Sequence, residues 1–152
     1  MEEFPAVAGS DGAGTIEEIG EGVTTWSKGD RVVFTGAFFS ANRGTFQQFS
    51  VADASRVAKI PESITFEEAA TVPLGLSTTA VGTYSKKRPE KGGTEFTAPW
   101  TSAGRGQYEG QPAVVLGDSS SVGQYALQLL KLSGFSPIIT TYLQSRHGGN
   151  LK

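Results

Sequence analysis

Ala113-Val114-Val115-Leu116-Gly117-Asp118-Ser119-Ser120-Ser121-Val122-Gly123 is a short, wholly apolar run followed at once by a turn of small residues. A strand buried on both faces in a parallel sheet reads as such a run. Beyond it, Val122, Ala126, Leu129, Leu130 and Ser133 recur at i, i+4, i+7, i+8 and i+11, which is one face of a helix. Gly134 stands where a left-handed residue stops a helix. Pro137-Ile138-Ile139-Thr140-Thr141 is then a second strand. Strand, glycine turn, helix and strand in that order make a βαβ unit, whose crossover is right-handed almost without exception.

A tight turn after a buried strand lets backbone N–H groups face a pyrophosphate, and the helix N-terminus adds partial positive charge. Small side chains are needed there because phosphates approach the backbone closely. Ser119, Ser120, Ser121, Val122 and Gly123 are therefore candidate cofactor-binding residues, with Ser120 and Ser121 offering hydroxyl donors. The G-x-G-x-x-G spacing is absent, and no Gly-Lys-Ser/Thr follows. On pattern alone, a serine-rich loop capping a helix of another α/β fold reads equally well. The charge beyond the turn narrows the choice of dinucleotide. Of 15 acids, 14 lie at or before Glu109, Asp118 is the last, and Ser119 to Lys152 holds none. NAD sites of this kind place an acid about 20 residues past the turn, on the ribose hydroxyls. Here the strand ends at Thr141, and Ser145 and Arg146 follow. A hydroxyl and a guanidinium suit a 2′-phosphate, so the cofactor reading is NADP(H). The alternative for these residues is a solvated turn near a frayed chain end.

Composition excludes other chemistries. The 152 residues include 20 glycines, no cysteine and one histidine, His147. Without cysteine there are no disulfides, thiolate zinc sites or thiol catalysis, and one histidine excludes a multi-histidine metal site. No metal site is expected. A net charge of −2, from 13 basic and 15 acidic residues, gives no support to nucleic-acid binding. The basic cluster Lys86-Lys87-Arg88-Pro89-Glu90-Lys91 reads as a solvated linker, and Gly104-Arg105-Gly106 as a turn. No apolar run approaches the ~18 residues of a membrane span, and Met1–Pro5 is no signal peptide. A cytoplasmic location is the expectation.

Upstream, residues 1–60 read as short strands broken by glycine turns. Strands are expected at Ile16–Ile19, Arg31–Phe34, across Phe46, Gln48 and Val51, and at Arg56–Ile60, where Pro61 stops the last. Asp11 has no visible acid–base partner and reads as a turn or strand residue. Thr65-Phe66-Glu67-Glu68 is a capping box that starts a helix from Phe66 to about Val72, limited by Pro73. A second helix is expected from Ser77 to Tyr84. Ser85 to Gly110 has little periodicity and reads as a long loop or linker.

Several blocks together resemble the medium-chain dehydrogenase/reductase superfamily. They are FPAV (4–7), GSDGAGTI (9–16), EEIGEGVTTWSKGDRVVF (17–34), GTFQQFSVADASRVAKIPESITFEEAATVPLGLSTTA (44–80) and WTSAGRGQYEGQPAVVLGDSSSVGQYALQLLKLSGFSPIITT (100–141). Within the superfamily the chain looks like the zinc-independent branch of quinone oxidoreductases and fungal trans-enoyl reductases. The resemblance implies an α+β chain, with a partial GroES-like β-barrel at 1–84, a loop or linker at 85–110, and the first βαβ unit of a Rossmann-type NADP-binding domain at 111–152. Zinc-using members carry Gly-His-Glu where this chain has Gly9-Ser10-Asp11, and a lobe of four cysteines. Zinc chemistry is thus excluded by residue type, and NADPH-dependent hydride transfer to an activated alkene, enoyl or quinone substrate is implied.

By the same resemblance, Ser119 to Gly123 matches the phosphate-binding turn, and Thr141 to Arg146 the segment meeting the 2′-phosphate. Gly75-Leu76-Ser77-Thr78-Thr79 opens the segment lining the nicotinamide and substrate cleft, with Thr79 the candidate polar contact. The alternative for Thr79 is ordinary helix surface. No catalytic residue is assigned. The substrate is a small molecule, and some relatives work with a polyketide synthase. Family members are more than twice this long, so the expectation is a chain truncated at both ends. Two functions stay open: a zinc-free NADPH-dependent oxidoreductase present as a fragment, or a non-catalytic remnant that is structural or binds partners through exposed sheet edges.

Overall fold

The computed structural model describes residues 6–37, 42–90 and 92–141. It is an α+β structure with two small sheets. Two compact units divide it, Met1–Leu74 and Gly75–Lys152.

The first unit is built on β1 (Asp11–Thr15), β2 (Arg31–Thr35) and β3 (Val57–Lys59), an antiparallel sheet in that order. Gly12 pairs with Phe34 and Gly14 with Val32. The strand expected at Ile16–Ile19 is absent, because the pairing lies five residues earlier, in the glycine-rich stretch. A side chain at Gly12 would meet the Phe34 ring at 2.7 Å, so glycine is what lets that ring lie over β1. The pairing closes where Ile16 N–H donates to Asp30 O (3.0 Å) and Gly29 N–H to Ile16 O (2.8 Å).

Phe46 to Val51 forms no strand either. Thr45 and Phe46 donate their amides to Gly9 O and Ala8 O, and the chain then bends away. Phe46, Phe49 and Val51 are left exposed. β3 and the stop at Pro61 agree with the sequence. Arg31 fixes the turn that follows: its guanidinium donates to Pro61 O (3.2 Å) and Ile64 O (2.7 Å) and lies 4.7 Å over the Phe66 ring. Helix α1 (Phe66–Ala70) opens with the expected capping box: Glu68 N–H donates to Thr65 Oγ1 (3.2 Å) and Thr65 N–H to Glu68 Oε2 (2.9 Å). Val32, Ile60 and Ala69 are buried at the core of this unit.

Helix α2 (Pro73–Tyr84) starts four residues before the expected Ser77. Pro73 does not limit α1 so much as begin α2, since a missing N–H costs nothing in the first turn. The next amide, of Leu74, donates to Asp11 Oδ1 at 2.7 Å. Asp11, 63 residues upstream, thus accepts an amide of the first turn of α2, at the end of the helix that favours negative charge.

The second unit holds β4 (Ala113–Leu116) and β5 (Ile138–Thr141), paired in parallel from Ala113↔Ile138 to Leu116↔Thr141, with α3 (Ser121–Leu132) between them in sequence. Gly134 (φ +96°) ends α3: its amide reaches Lys131 O (3.1 Å) and that of Phe135 reaches Leu130 O (3.1 Å), a Schellman motif. The predicted apolar face holds at Leu129 and Ser133, both buried, while Val122 is exposed.

Residues 85–110 contain no helix or strand among those described, yet they are folded against α2 and α3. Thr94 and Phe96 donate their amides to Gly82 O (3.0 Å) and Thr83 O (3.2 Å). Tyr108 stacks on Phe135, Phe96 lies tilted against both, and Trp100 meets Tyr84 edge-on at 5.0 Å. Tyr84 Oη donates to Leu129 O (3.1 Å) and accepts from Ser133 Oγ (2.8 Å).

Candidate cofactor site

The turn between β4 and α3 begins at Gly117, whose φ of +75° suits glycine. Its amide donates to Thr141 Oγ1 at 3.3 Å, so the end of β5 is tied to the turn. Ser120 is the N-cap of α3. Its Oγ accepts from Gly123 N–H (3.0 Å) and donates to Gly117 O (2.8 Å). Gly123 is buried beneath the turn, where any Cβ would run into Gly117 O and come within 2.8 Å of Asp118 Cα. Gln124 Nε2 adds a clamp on Asp118 O at 2.9 Å.

These bonds decide which groups can meet a ligand. The Ser120 hydroxyl, expected to offer a donor, has its proton committed to Gly117 O. Gly123 N–H is committed to Ser120 Oγ. The amides and hydroxyls of Ser119 and Ser121, and the amide of Val122, make no hydrogen bond among the described residues. The first turn of a helix leaves such amides without intrahelical acceptors, and together with the helix dipole they favour an anion. The residues fit the phosphates of a dinucleotide through backbone donors. One group opposes that charge: Asp118 Oδ1 is buried with no hydrogen-bond partner among the described residues.

The expected cleft residues lie on α2. Gly75 and Thr79 are buried, Leu76 is half-buried, and Ser77 and Thr78 are exposed. Thr79 Oγ1 lies 3.0 Å from Gly75 O and 2.9 Å from Val122 O, so its hydroxyl is engaged between α2 and α3. Ser145 and Arg146 lie outside the described residues. Sequence reading missed Gln124, which stands four residues after its N-cap with nothing to mark its reach back to Asp118 O. Among the described residues, no group of three or more His, Cys, Asp or Glu side chains could hold a metal. Among them, too, no helix is long and apolar enough to cross a membrane.

Residues 1–62 match the alcohol dehydrogenase GroES-like domain. The trans-enoyl reductase grgB of Penicillium sp is 30% identical over 138 residues, covering 89% of this chain and 36% of its own. The dehydrogenase pigH of Monascus ruber is 36% identical over 143 residues, covering 91% of this chain and 37% of its own. This chain belongs to the medium-chain dehydrogenase/reductase superfamily. It is enoyl-reductase-like within that superfamily, and it spans little more than a third of the length of these relatives. A solved superfamily structure, mycobacterial Rv1454c complexed with NADPH, aligns with a TM-score of 0.66 at 28% identity, covering 95% of this chain and 38% of its own.

Proposed function

We propose that the chain contributes the phosphate-binding part of an NADP(H) site to a zinc-free oxidoreductase acting on an activated alkene, enoyl or quinone substrate. The observation that carries this reading is the turn itself, with amides of Ser119, Ser121 and Val122 unengaged at the start of α3. Relatives named as trans-enoyl reductases, and the related structure complexed with NADPH, support it. The amides would hold the pyrophosphate, while Thr141, Ser145 and Arg146 would meet the 2′-phosphate. Ser77 and Thr78, on the exposed side of α2, are better placed to meet a ligand than Thr79. When bound, the cofactor supplies the hydride, and the protein supplies binding and orientation. The zinc-free reading rests on residue type, since these 152 residues hold no cysteine and one histidine.

Nicotinamide fluorescence during titration tests the proposal. Saturable NADPH binding, tighter than NADH, is the expected result, and Arg146→Ala should weaken NADPH by about tenfold and NADH little, the cost of one charge-assisted contact. Equal loss for both would remove the 2′-phosphate assignment. A second reading, a non-catalytic chain that pairs with a partner through the β4–β5 sheet, is favoured by the exposure of Val114, Leu116 and Ile139. Absence of binding at millimolar NADPH would leave that reading standing alone.

A further inference from the structure

We infer that Thr79 is a positioning residue for the phosphate turn: its buried hydroxyl holds the first peptide groups of α3 in the orientation that presents the Ser121 and Val122 amides. The inference rests on the NADP(H) reading of that turn and adds a residue to it from another helix.

A threonine inside a helix commonly donates back to the carbonyl four residues earlier. The approach of Thr79 Oγ1 to Gly75 O is of that kind, and the single hydroxyl proton is divided between that oxygen and a second acceptor, Val122 O, at the shorter distance. The bond to Val122 O is not local, because Val122 lies 43 residues further on and is the second residue of α3. A helical carbonyl already accepts from the residue four ahead, and Thr79 uses its second lone pair. Thr79 is 5% exposed, so water does not substitute for the hydroxyl.

The carbonyl of Val122 and the amide of Gly123 belong to one planar peptide unit. Thr79 Oγ1 holds its oxygen end at 2.9 Å, and Ser120 Oγ holds its N–H end at 3.0 Å. That peptide is clamped from both sides, and the unengaged Ser121 and Val122 amides immediately precede it. One turn earlier on α2, Gly75 brings the helix backbone against the same turn of α3. A Cβ there would collide with Ser121 Oγ and approach the Tyr125 ring to 3.0 Å. Two contacts spaced one helical turn apart thus set α2 against the first two residues of α3.

Thr79→Val keeps shape and volume and removes the hydroxyl; Thr79→Ser restores it. NADPH affinity should fall about tenfold in Thr79→Val, as for the loss of one buried hydrogen bond, and return to within about twofold of wild type in Thr79→Ser. Binding of adenosine 2′-phosphate, which lacks the pyrophosphate, should not change. Amide hydrogen exchange at Gly123, whose N–H is bonded to Ser120 Oγ, should speed up in ligand-free Thr79→Val, with Thr79→Ala taking its place if the valine variant does not fold. Wild-type NADPH affinity in Thr79→Val, or equal losses for NADPH and adenosine 2′-phosphate, overturns the inference and leaves the NADP(H) site intact. If the wild-type chain itself binds no NADPH, the functional reading fails, and unchanged exchange at the Gly123 amide would overturn the positioning role separately.

Discussion

Asp118 is the only acid between Glu109 and the last residue, and it stands inside the turn proposed to receive phosphates. Gln124 clamps its backbone carbonyl, while its Oδ1 is buried without a donor among the described residues. A carboxylate there repels an incoming pyrophosphate at short range, where screening is weakest. Asp118→Asn keeps the shape and removes the charge. NADPH affinity should rise by about three- to tenfold in that variant, with a smaller gain at high salt, as isothermal titration will show. Unchanged affinity would place the carboxylate outside the field of the ligand. The neighbouring serines show where sequence reading stops at this scale. Each of Ser119, Ser120 and Ser121 is a competent N-cap by type. Which one caps depends on where α3 begins, and a shift of one residue reassigns every hydroxyl and amide in the turn. The presence of a small-residue turn opening α3 was legible, but its division into capping groups and unengaged groups was not.

At the level of elements, legibility followed how local the cause was. The Thr65–Glu68 box and the Gly134 stop match the structure because the interactions that make them lie within a few residues. The apolar run does form β4, but the burial expected on both its faces holds only at Val115, since Val114 and Leu116 are exposed. β1 was misplaced because Asp-Gly-Ala-Gly-Thr has poor strand propensity, and only Phe34 from the next strand explains its glycine. The start of α2 differs from the expected Ser77 because an amide of its first turn is held by Asp11, 63 residues upstream. The burial of Thr79 was likewise invisible, since the carbonyl it binds is on another helix. The α2–α3 pairing is open to test at its far end, through Tyr84. Burial pushes the Tyr84 phenol above its usual 10.0, against a smaller opposing effect of the Ser133 hydrogen bond. The folded state therefore prefers the neutral phenol. Its contribution is complete below about pH 10 and is lost as pH rises through the raised folded value. Tyr84→Phe should cost about 1 kcal/mol at neutral pH, and its unfolding midpoint should fall less than that of the wild type between pH 9 and 11. Parallel curves for the two proteins would show that the phenol titrates alike folded and unfolded.

Across the whole molecule, one apolar surface has nothing over it among the described residues. Val114 is 62% exposed, Leu116 75% and Ile139 53%, and Val114 pairs with Ile139 across the two strands. Val115, alternating with them, is buried, so the sheet is covered on one side and bare on the other. A bare apolar sheet face is a site of association. The chain should therefore associate with rising concentration, and Leu116→Lys should shift it toward monomer in sedimentation velocity. A wild-type chain monomeric at all concentrations would show that this face does not drive association.

The contacts between α2 and α3 also bear on the integrity of the backbone. Lys86, Lys87 and Arg88 form an exposed basic stretch just after α2, an inviting place for a trypsin-like protease. Yet the helix before it and the residues after it are joined by Thr79 to Val122, Tyr84 to Leu129 and Ser133, and the amides of Thr94 and Phe96 to Gly82 and Thr83. A cut at 86–88 would separate the two pieces in sequence and leave them joined in space. Covalent continuity is dispensable at that point, which makes it the natural place to open new chain ends without dismantling the turn that α2 supports.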